Sequence, residues 1–324
     1  MVGSRIVRKV LESNDKKGLN AVVIAVYRNE DKKNSVFSDC LDRSDIKWLC
    51  ADVTKPIEYG ESVDYIVHTA AVTGGSRQHI DFPMRTISTA IDSTVNLLEL
   101  AKEKKSLGFV FTSSLEIYGK TDYSMPSIKE TDGGYIDPMA VRSSYSESKR
   151  MCENICAAYA KQFGVPAKVV RLTASYGGGA YYGDKRVLCE FARCVIEKKD
   201  IVLKSLGDTV RNYCDTLDAA EAILTVLEKG ESGEAYNVAN MATDLSIKEL
   251  AERFIALYPE SGISLKFDIP EDITKLGYNG TVKIRLDTEK LEKLGWKPKF
   301  CADDMIRHLV SAMRESLERS ENNG

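Results

Sequence analysis

The tightest constraint on this chain is a rhythm: short β-branched runs alternate with amphipathic stretches through most of the first 240 residues. AVVIAVY (Ala21 to Tyr27), IKWLC, YIVHTAA, GFVFTSS and AKVVRLTASYG each read as a buried strand. Between them, PMRTISTAIDSTVNLLELAKEKK sets Ile87, Ala90, Ile91, Val95, Leu98 and Ala101 at helical spacing, and Ser143 to Phe163 reads as a long helix. Strands separated by helices pair in parallel, so the expected fold class is α/β, a doubly wound parallel sheet. After about residue 235 the rhythm changes. LSIKELAERFIALYP is an amphipathic helix with Ser246 as its cap, and LDTEKLEKLGWKP holds another, ended by Gly295 and Pro298. The expected organisation is a sheet-building unit over residues 1–175, with 200–232 returning to it. A smaller, interleaved C-terminal lobe covers 176–324.

One element is missing from that order. The chain opens on a helix, Gly3 to about Leu11, where a doubly wound sheet first places a strand and a glycine-rich turn. That strand would occupy the middle of the sheet. Its loss leaves unpaired backbone groups and an apolar gap, each costing on the order of 1–3 kcal/mol. The expectation is that the natural chain starts further upstream, or that this fragment has lost function.

Bulk properties exclude several classes. The net charge of −3 provides no basic field for a phosphate backbone, so nucleic acid is not an expected partner. No apolar run approaches the roughly 20 residues of a membrane span, and MVGSRIVRKVLE carries charges where an export signal needs an apolar core. The eight cysteines contain no C-x-x-C pair; Cys152 and Cys156, one helical turn apart, read as two small apolar groups on one face and not as a metal site. A reducing, cytoplasmic setting is expected.

The chemistry centres on Tyr145 and Lys149, four residues apart in YSESK and therefore on one helix face. A phenol near pKa 10 is a poor base at neutral pH, and bringing it to about 7 takes roughly 4 kcal/mol of differential stabilisation, which a neighbouring ammonium can provide. The earlier strand ends in FTSSLEIYG, and hydroxyls at the C-terminal edge of a parallel strand face the crevice where such folds bind ligands.

The ordered run of SSLEIYG, YSESK and RLTASYG resembles the extended short-chain dehydrogenases, the nucleotide-sugar epimerase, dehydratase and decarboxylase family with its Rossmann-type sheet. DYIVHTAA, the segment from Gly183 to Ala220, GEAYNVAN and LDTEKLEKLGWKP extend the similarity from about residue 3 to 310. The resemblance implies that residues 1–175 bind a dinucleotide and 176–324 a substrate. It casts Ser114 as the donor to the reacting sugar oxygen and Tyr145 as the base at the sugar's 4-hydroxyl. Lys149 holds the nicotinamide ribose and lowers the phenol's pKa. It also implies NAD or NADP as cofactor, a nucleotide-diphosphate sugar as substrate, and a homodimer formed through the helices near 83–104 and 143–164.

Glu116 discriminates among reactions. Relatives that eliminate water or carbon dioxide carry an acid there, and glucose-nucleotide dehydratases typically place Asp directly before it. Here that place is Leu115, which cannot donate a proton. The pattern is closer to the UDP-glucuronate decarboxylase type, whose R-V-x-x-x-F run is similar to Arg186-Val187 to Phe191. A plain 4-epimerase, a 4-keto reductase and a non-catalytic dinucleotide-binding member stay open as alternatives. For the substrate diphosphate the family points to Arg211, with Arg186 and Tyr213 beside it. On the cofactor side it points to Gly3 as the last glycine of the loop, to Asp52 at the adenine, and to Ala70 and Ala71 at the end of YIVHTAA. Arg28 replaces the usual ribose-binding acid and can pair with a 2′-phosphate. Gly74 and Gly75 allow close approach of backbone to ligand, in a loop that either shapes sugar specificity or is a plain turn. His68 and His79 read as structural, since Tyr145 already fills the base role.

Overall fold

Two parallel sheets carry the rhythm of the sequence. The computed structural model describes residues 1–72, 76–270 and 282–322, so Gly74 and Gly75 lie outside the described residues. The first half runs α1 (Val2–Lys17), β1 (Val23–Tyr27), α2 (Glu30–Val36), β2 (Ile46–Cys50), β3 (Tyr65–His68), α3 (Ser76–Asp81), α4 (Pro83–Lys104), β4 (Gly108–Ser114), α5 (Ser144–Phe163) and β5 (Ala167–Leu172). Then come β6 (Ala174–Tyr176), α6 (Val187–Glu197), β7 (Ile201–Leu203), β8 (Val210–Asp215), α7 (Thr216–Lys229) and β9 (Ala235–Val238). The chain finishes with β10 (Asn240–Ser246), α8 (Ile247–Leu257), β11 (Leu265–Phe267), β12 (Lys283–Ile284), α9 (Glu289–Glu292) and α10 (Ala302–Asn322).

The main sheet has the order β3-β4-β5-β9, all parallel. β4 is buried over almost its whole length, because helices cover both faces and neighbours pair on both edges. Local signals agree with this layout. Pro83 starts α4, Gly164 ends α5 in the left-handed region at φ 69°, and Ser246 with Glu249 forms a reciprocal capping box on α8.

The interruption expected from the sequence is visible. β1 pairs only with β2, and the main sheet begins at β3; among the described residues no strand joins them. Parallel strands are normally covered, yet Val26 of β1 is 41% exposed and Tyr65 of β3 is 53% exposed. α1 holds the halves together: Ile6 packs with Val110, Val170 and Ile223, while Leu11 packs with Ala25 and Ile46.

The second layer of architecture is a mixed sheet, β10-β8-β12 with β6 also on β8, and a small β11-β7 pair. Its core joins Leu188, Phe191, Phe254, Met305 and Leu309. α7 and β9 return to the main sheet between these strands, so the lobe is interleaved with the first unit. Among the described residues no helix is long and apolar enough to cross a membrane, and no group of three or more His, Cys, Asp or Glu side chains could hold a metal ion.

Fusing an apolar strand and a short turn ahead of Met1 is expected to stabilise the protein by bridging β1 and β3. A few new ladder bonds at roughly 1 kcal/mol each should raise the melting temperature by about 5 °C or more. Unchanged melting and unchanged dinucleotide affinity would show that the two half-sheets do not share such a slot.

Candidate active site

The site hangs from the end of β4. Ser114 closes that strand and caps a 3₁₀ turn, Leu115–Tyr118, its Oγ accepting the Glu116 amide at 3.2 Å. The turn directs Leu115 inward, where it is 4% exposed, and leaves Glu116 partly open. Opposite, a second 3₁₀ turn (Val141–Ser143) runs into α5, whose first two turns carry Tyr145 and Lys149. Arg142, in that turn, donates from Nη2 to both carboxylate oxygens of Glu116 at 3.1 and 2.8 Å, and Ser146 Oγ lies 3.5 Å from the same carboxylate. The ring of His79 stacks on Tyr145 at 4.5 Å, fixed by Thr86 on its Nδ1 and by Ser144, which donates to its carbonyl.

Electrostatics set the resting state of the phenol. Burial and then the charge of Glu116 push Tyr145 up to about 12, against the opposing effects of Ser114, Arg142 and Arg186. Lys149 donates from Nζ to the carbonyl of Thr112 at 2.7 Å and lies over the Phe111 ring at 4.5 Å. Burial lowers its own pKa to about 8. The sequence reading has this lysine lowering the phenol's pKa. In the structure its ammonium is turned toward β4, 6.0 Å from the Tyr145 ring centre, and burial of the phenol prevails. Tyr145 therefore rests as a protonated donor. His79 is neutral, its pKa lowered by burial and then by Arg142. His68 is neutral too: burial holds it at about 3, and its Nε2 sits 3.1 Å from Ser93 and 3.2 Å from Thr94.

Four residues expected on the cofactor side, Arg28, Asp52, Ala70 and Ala71, line one cleft at the C-terminal ends of β1, β2 and β3. Asp52 accepts from the amide and hydroxyl of Thr54 at 3.0 and 2.9 Å, and Arg28 approaches it only to 3.7 Å. Gly3 lies at the start of α1, where a Cβ would stand 2.9 Å from the Thr69 hydroxyl. A side chain there would push the helix start away from the end of β3.

On the substrate side, Tyr176 gathers Arg186, Arg211 and Tyr213. Burial pushes its phenol pKa up, with both arginines near enough to oppose the shift. Arg186 lies over the Tyr176 ring at 5.1 Å and is engaged by Asp184 at 2.7 Å. Arg211 Nε and the Tyr213 hydroxyl are buried with no hydrogen-bond partner among the described residues. Tyr213 is otherwise packed in the second core. Sequence reasoning missed Arg142, Ser146 and the place of His79 against Tyr145. The legible signal was an arginine three residues ahead of the tyrosine, in RSSY.

The sequence profile of the NAD dependent epimerase/dehydratase family matches residues 1–239. The chain belongs to that family. UDP-glucuronic acid decarboxylase 1 of Arabidopsis thaliana is 29% identical over 320 residues, covering 98% of this chain and 68% of that protein. Among solved structures, a UDP-glucose 4-epimerase from Thermotoga maritima with UDP-glucose matches at TM-score 0.80 and 21% identity, over 98% of this chain and 96% of that one. A dTDP-glucose 4,6-dehydratase from Streptomyces venezuelae, with NAD bound, matches at TM-score 0.79 and 22% identity, over 98% and 95%. These two structures share the fold.

The buried Lys149 of this epimerase/dehydratase family member has a stability cost. Lys149 has a folded pKa of about 8, below its unfolded value of 10.5. The unfolded chain therefore binds the proton more tightly: the penalty is complete below pH 8 and fades as pH rises to 10.5. At about 1.4 kcal/mol per pKa unit it amounts to roughly 3 kcal/mol at neutral pH, less about 1 for the lost hydrogen bond in a mutant. Lys149→Met is thus expected to raise the melting temperature by about 4 °C at pH 7 while abolishing turnover. Lower stability in this variant at pH 7 would contradict the assignment of a charge penalty to Lys149.

Proposed function

We propose that this chain is an NAD(P)-dependent nucleotide-sugar enzyme that oxidises the sugar at C4 and then removes its C6 carboxyl group. The observation that carries decarboxylation over dehydration is Leu115. It is buried and aliphatic at the position before Glu116, so no acid stands there to protonate a departing hydroxyl. The similarity to the plant UDP-glucuronic acid decarboxylase supports the same reading.

When bound, the cofactor supplies hydride acceptance at C4 and its later return. Gly3, Asp52, Ala70, Ala71 and Lys149 would hold it. They fit a dinucleotide because the start of α1 can approach β3 only where Gly3 lacks a side chain. Arg186, Arg211 and Tyr213 would take the substrate's diphosphate, consistent with the unpartnered Nε and hydroxyl near Tyr176. Because Tyr145 rests protonated, it must release that proton before oxidation, which the positive charge of a bound oxidised nicotinamide would favour; the phenolate would then take the 4-hydroxyl proton, with Ser114 donating to the same oxygen. A 4-ketone makes the 6-carboxylate a β-keto acid, whose C5–C6 bond breaks with its electrons flowing toward O4. Ser114 and protonated Tyr145 stabilise charge at that oxygen. Residues 1–175 would form the dinucleotide-binding part and 176–324 the substrate lobe. The chain would act as a homodimer, since α4 and α5 flank one another and leave Met84 and Met151 exposed, and its free cysteines suit a reducing, cytoplasmic setting.

A panel of UDP-, dTDP-, CDP- and GDP-sugars read by mass spectrometry should show carbon dioxide lost from a uronate alone. Tyr145→Phe should lower kcat by about 10²-fold or more. Turnover that survives this change would defeat the catalytic assignment. Arg28 should favour NADP over NAD, and Arg28→Ala should weaken NADP by roughly tenfold with NAD unchanged, the value of one charge-assisted phosphate contact. Equal loss for both cofactors would place Arg28 outside the 2′-phosphate site.

A further inference from the structure

We propose that Arg142 is the receptor for the sugar's own carboxylate, kept occupied by Glu116 until a uronate displaces it. The inference rests on the nucleotide-sugar reading above. It starts from an asymmetry in the ion pair. A guanidinium offers five N–H donors in a planar fork, yet one nitrogen, Nη2, reaches both oxygens of Glu116. Nε is buried without a hydrogen-bond partner among the described residues, although the side chain is only 18% exposed. A buried donor left unmade is costly, and a second carboxylate arriving on that edge would satisfy it.

Position points to the same ligand. In the proposed reaction O4 lies at Ser114 and Tyr145, and the C6 carboxylate lies on the neighbouring ring carbon. The cation it can meet there is Arg142, three residues ahead of Tyr145 and paired with the residue two after Ser114. Lys149 is turned to the Thr112 carbonyl, and Arg186 is engaged by Asp184. His79, stacked on the phenol, is neutral and adds no competing charge.

Exchange at Arg142 would also supply the proton that decarboxylation consumes. Once the sugar carboxylate takes the guanidinium, Glu116 loses its counter-ion beside a second negative charge and takes up a proton from solvent. The titratable groups that the structure brings to Glu116 are Arg142, Tyr145 and His79. The C5–C6 bond then breaks, its electron pair enters the enolate at C4–C5, and carbon dioxide leaves. Glu116 delivers its proton to C5 and, ionised again, returns to the vacated Arg142. Every proton and electron pair is placed without a further reactant. Arg142 is a specificity residue in this scheme, and Glu116 is the C5 proton donor.

The test is calorimetric titration of protein loaded with the reduced cofactor, which cannot oxidise the sugar, with UDP-glucuronate and with UDP-xylose, the same nucleotide sugar without the carboxyl, in buffers of differing ionisation enthalpy. UDP-glucuronate should bind with uptake of about one proton and UDP-xylose with none. Arg142→Met should weaken UDP-glucuronate roughly tenfold or more and leave UDP-xylose within about twofold, while Arg142→Lys should recover part of the preference. Equal weakening of both ligands would make Arg142 a structural residue only, and binding of UDP-glucuronate without proton uptake would overturn the exchange. Wild-type protein that binds neither sugar nucleotide would instead overturn the broader functional reading, and the exchange with it.

Discussion

The fixed point of this molecule is the C-terminal end of β4. That strand pairs with β5 to its last residue and with β3 as far as Phe111, and helices cover both its faces, so its end is held by one ladder and by the packing around it. The bond from Lys149 Nζ to the Thr112 carbonyl clamps α5 onto that end. With strand and helix held together, Ser114 and Tyr145 are set near one another, and Glu116 and Arg142 pair across the two 3₁₀ turns. Preorganisation of this kind lets donors act at a developing oxyanion without reorganisation cost.

The same burial that makes the site rigid makes it electrostatically tense. Tyr145 is pushed up to about 12 and Lys149 down to about 8, so burial works against the charged form of each. His68, behind the site, is held neutral at about 3 by burial and by Lys149. A cluster of buried polar groups with displaced pKa values is expensive for a fold and typical of a place where chemistry happens. The cofactor-side cleft lies at the break between β1 and β3, where the sheet has the least pairing to offer. Thus strand pairing is densest around β4 and sparsest beside the cleft that Arg28, Asp52, Ala70 and Ala71 line.

Much of this was legible in the sequence for a simple reason: its signals are local. Strand runs, the α4 periodicity, the Ser246 cap and the Tyr145–Lys149 spacing depend on neighbours a few residues away. The break between β1 and β3 was legible because an ordered set shows a gap. What stayed hidden depends on contacts between distant segments. Arg142 and Glu116 are 26 residues apart, and only the facing of two 3₁₀ turns brings them together. His79 meets Tyr145 across 66 positions for the same reason, and Lys149 could not be foreseen to turn toward a backbone carbonyl of β4.

The pairing of a buried Leu115 with a guanidinium-bound Glu116 also bears on which reaction the geometry favours. The Glu116 carboxylate has both oxygens engaged by Arg142, so neither is free to reach for a C5 proton. Dehydration needs that base and an acid for the departing hydroxyl; the first is restrained and the second is replaced by leucine. Decarboxylation needs neither, since the bond that breaks supplies its own electrons and the leaving group departs as a neutral molecule. It needs a cation to seat the carboxylate, donors at O4 and, late in the cycle, one proton at C5. Those are the groups that the two 3₁₀ turns bring together, and this is why the ion pair, a hindrance under the other chemistry, fits this one.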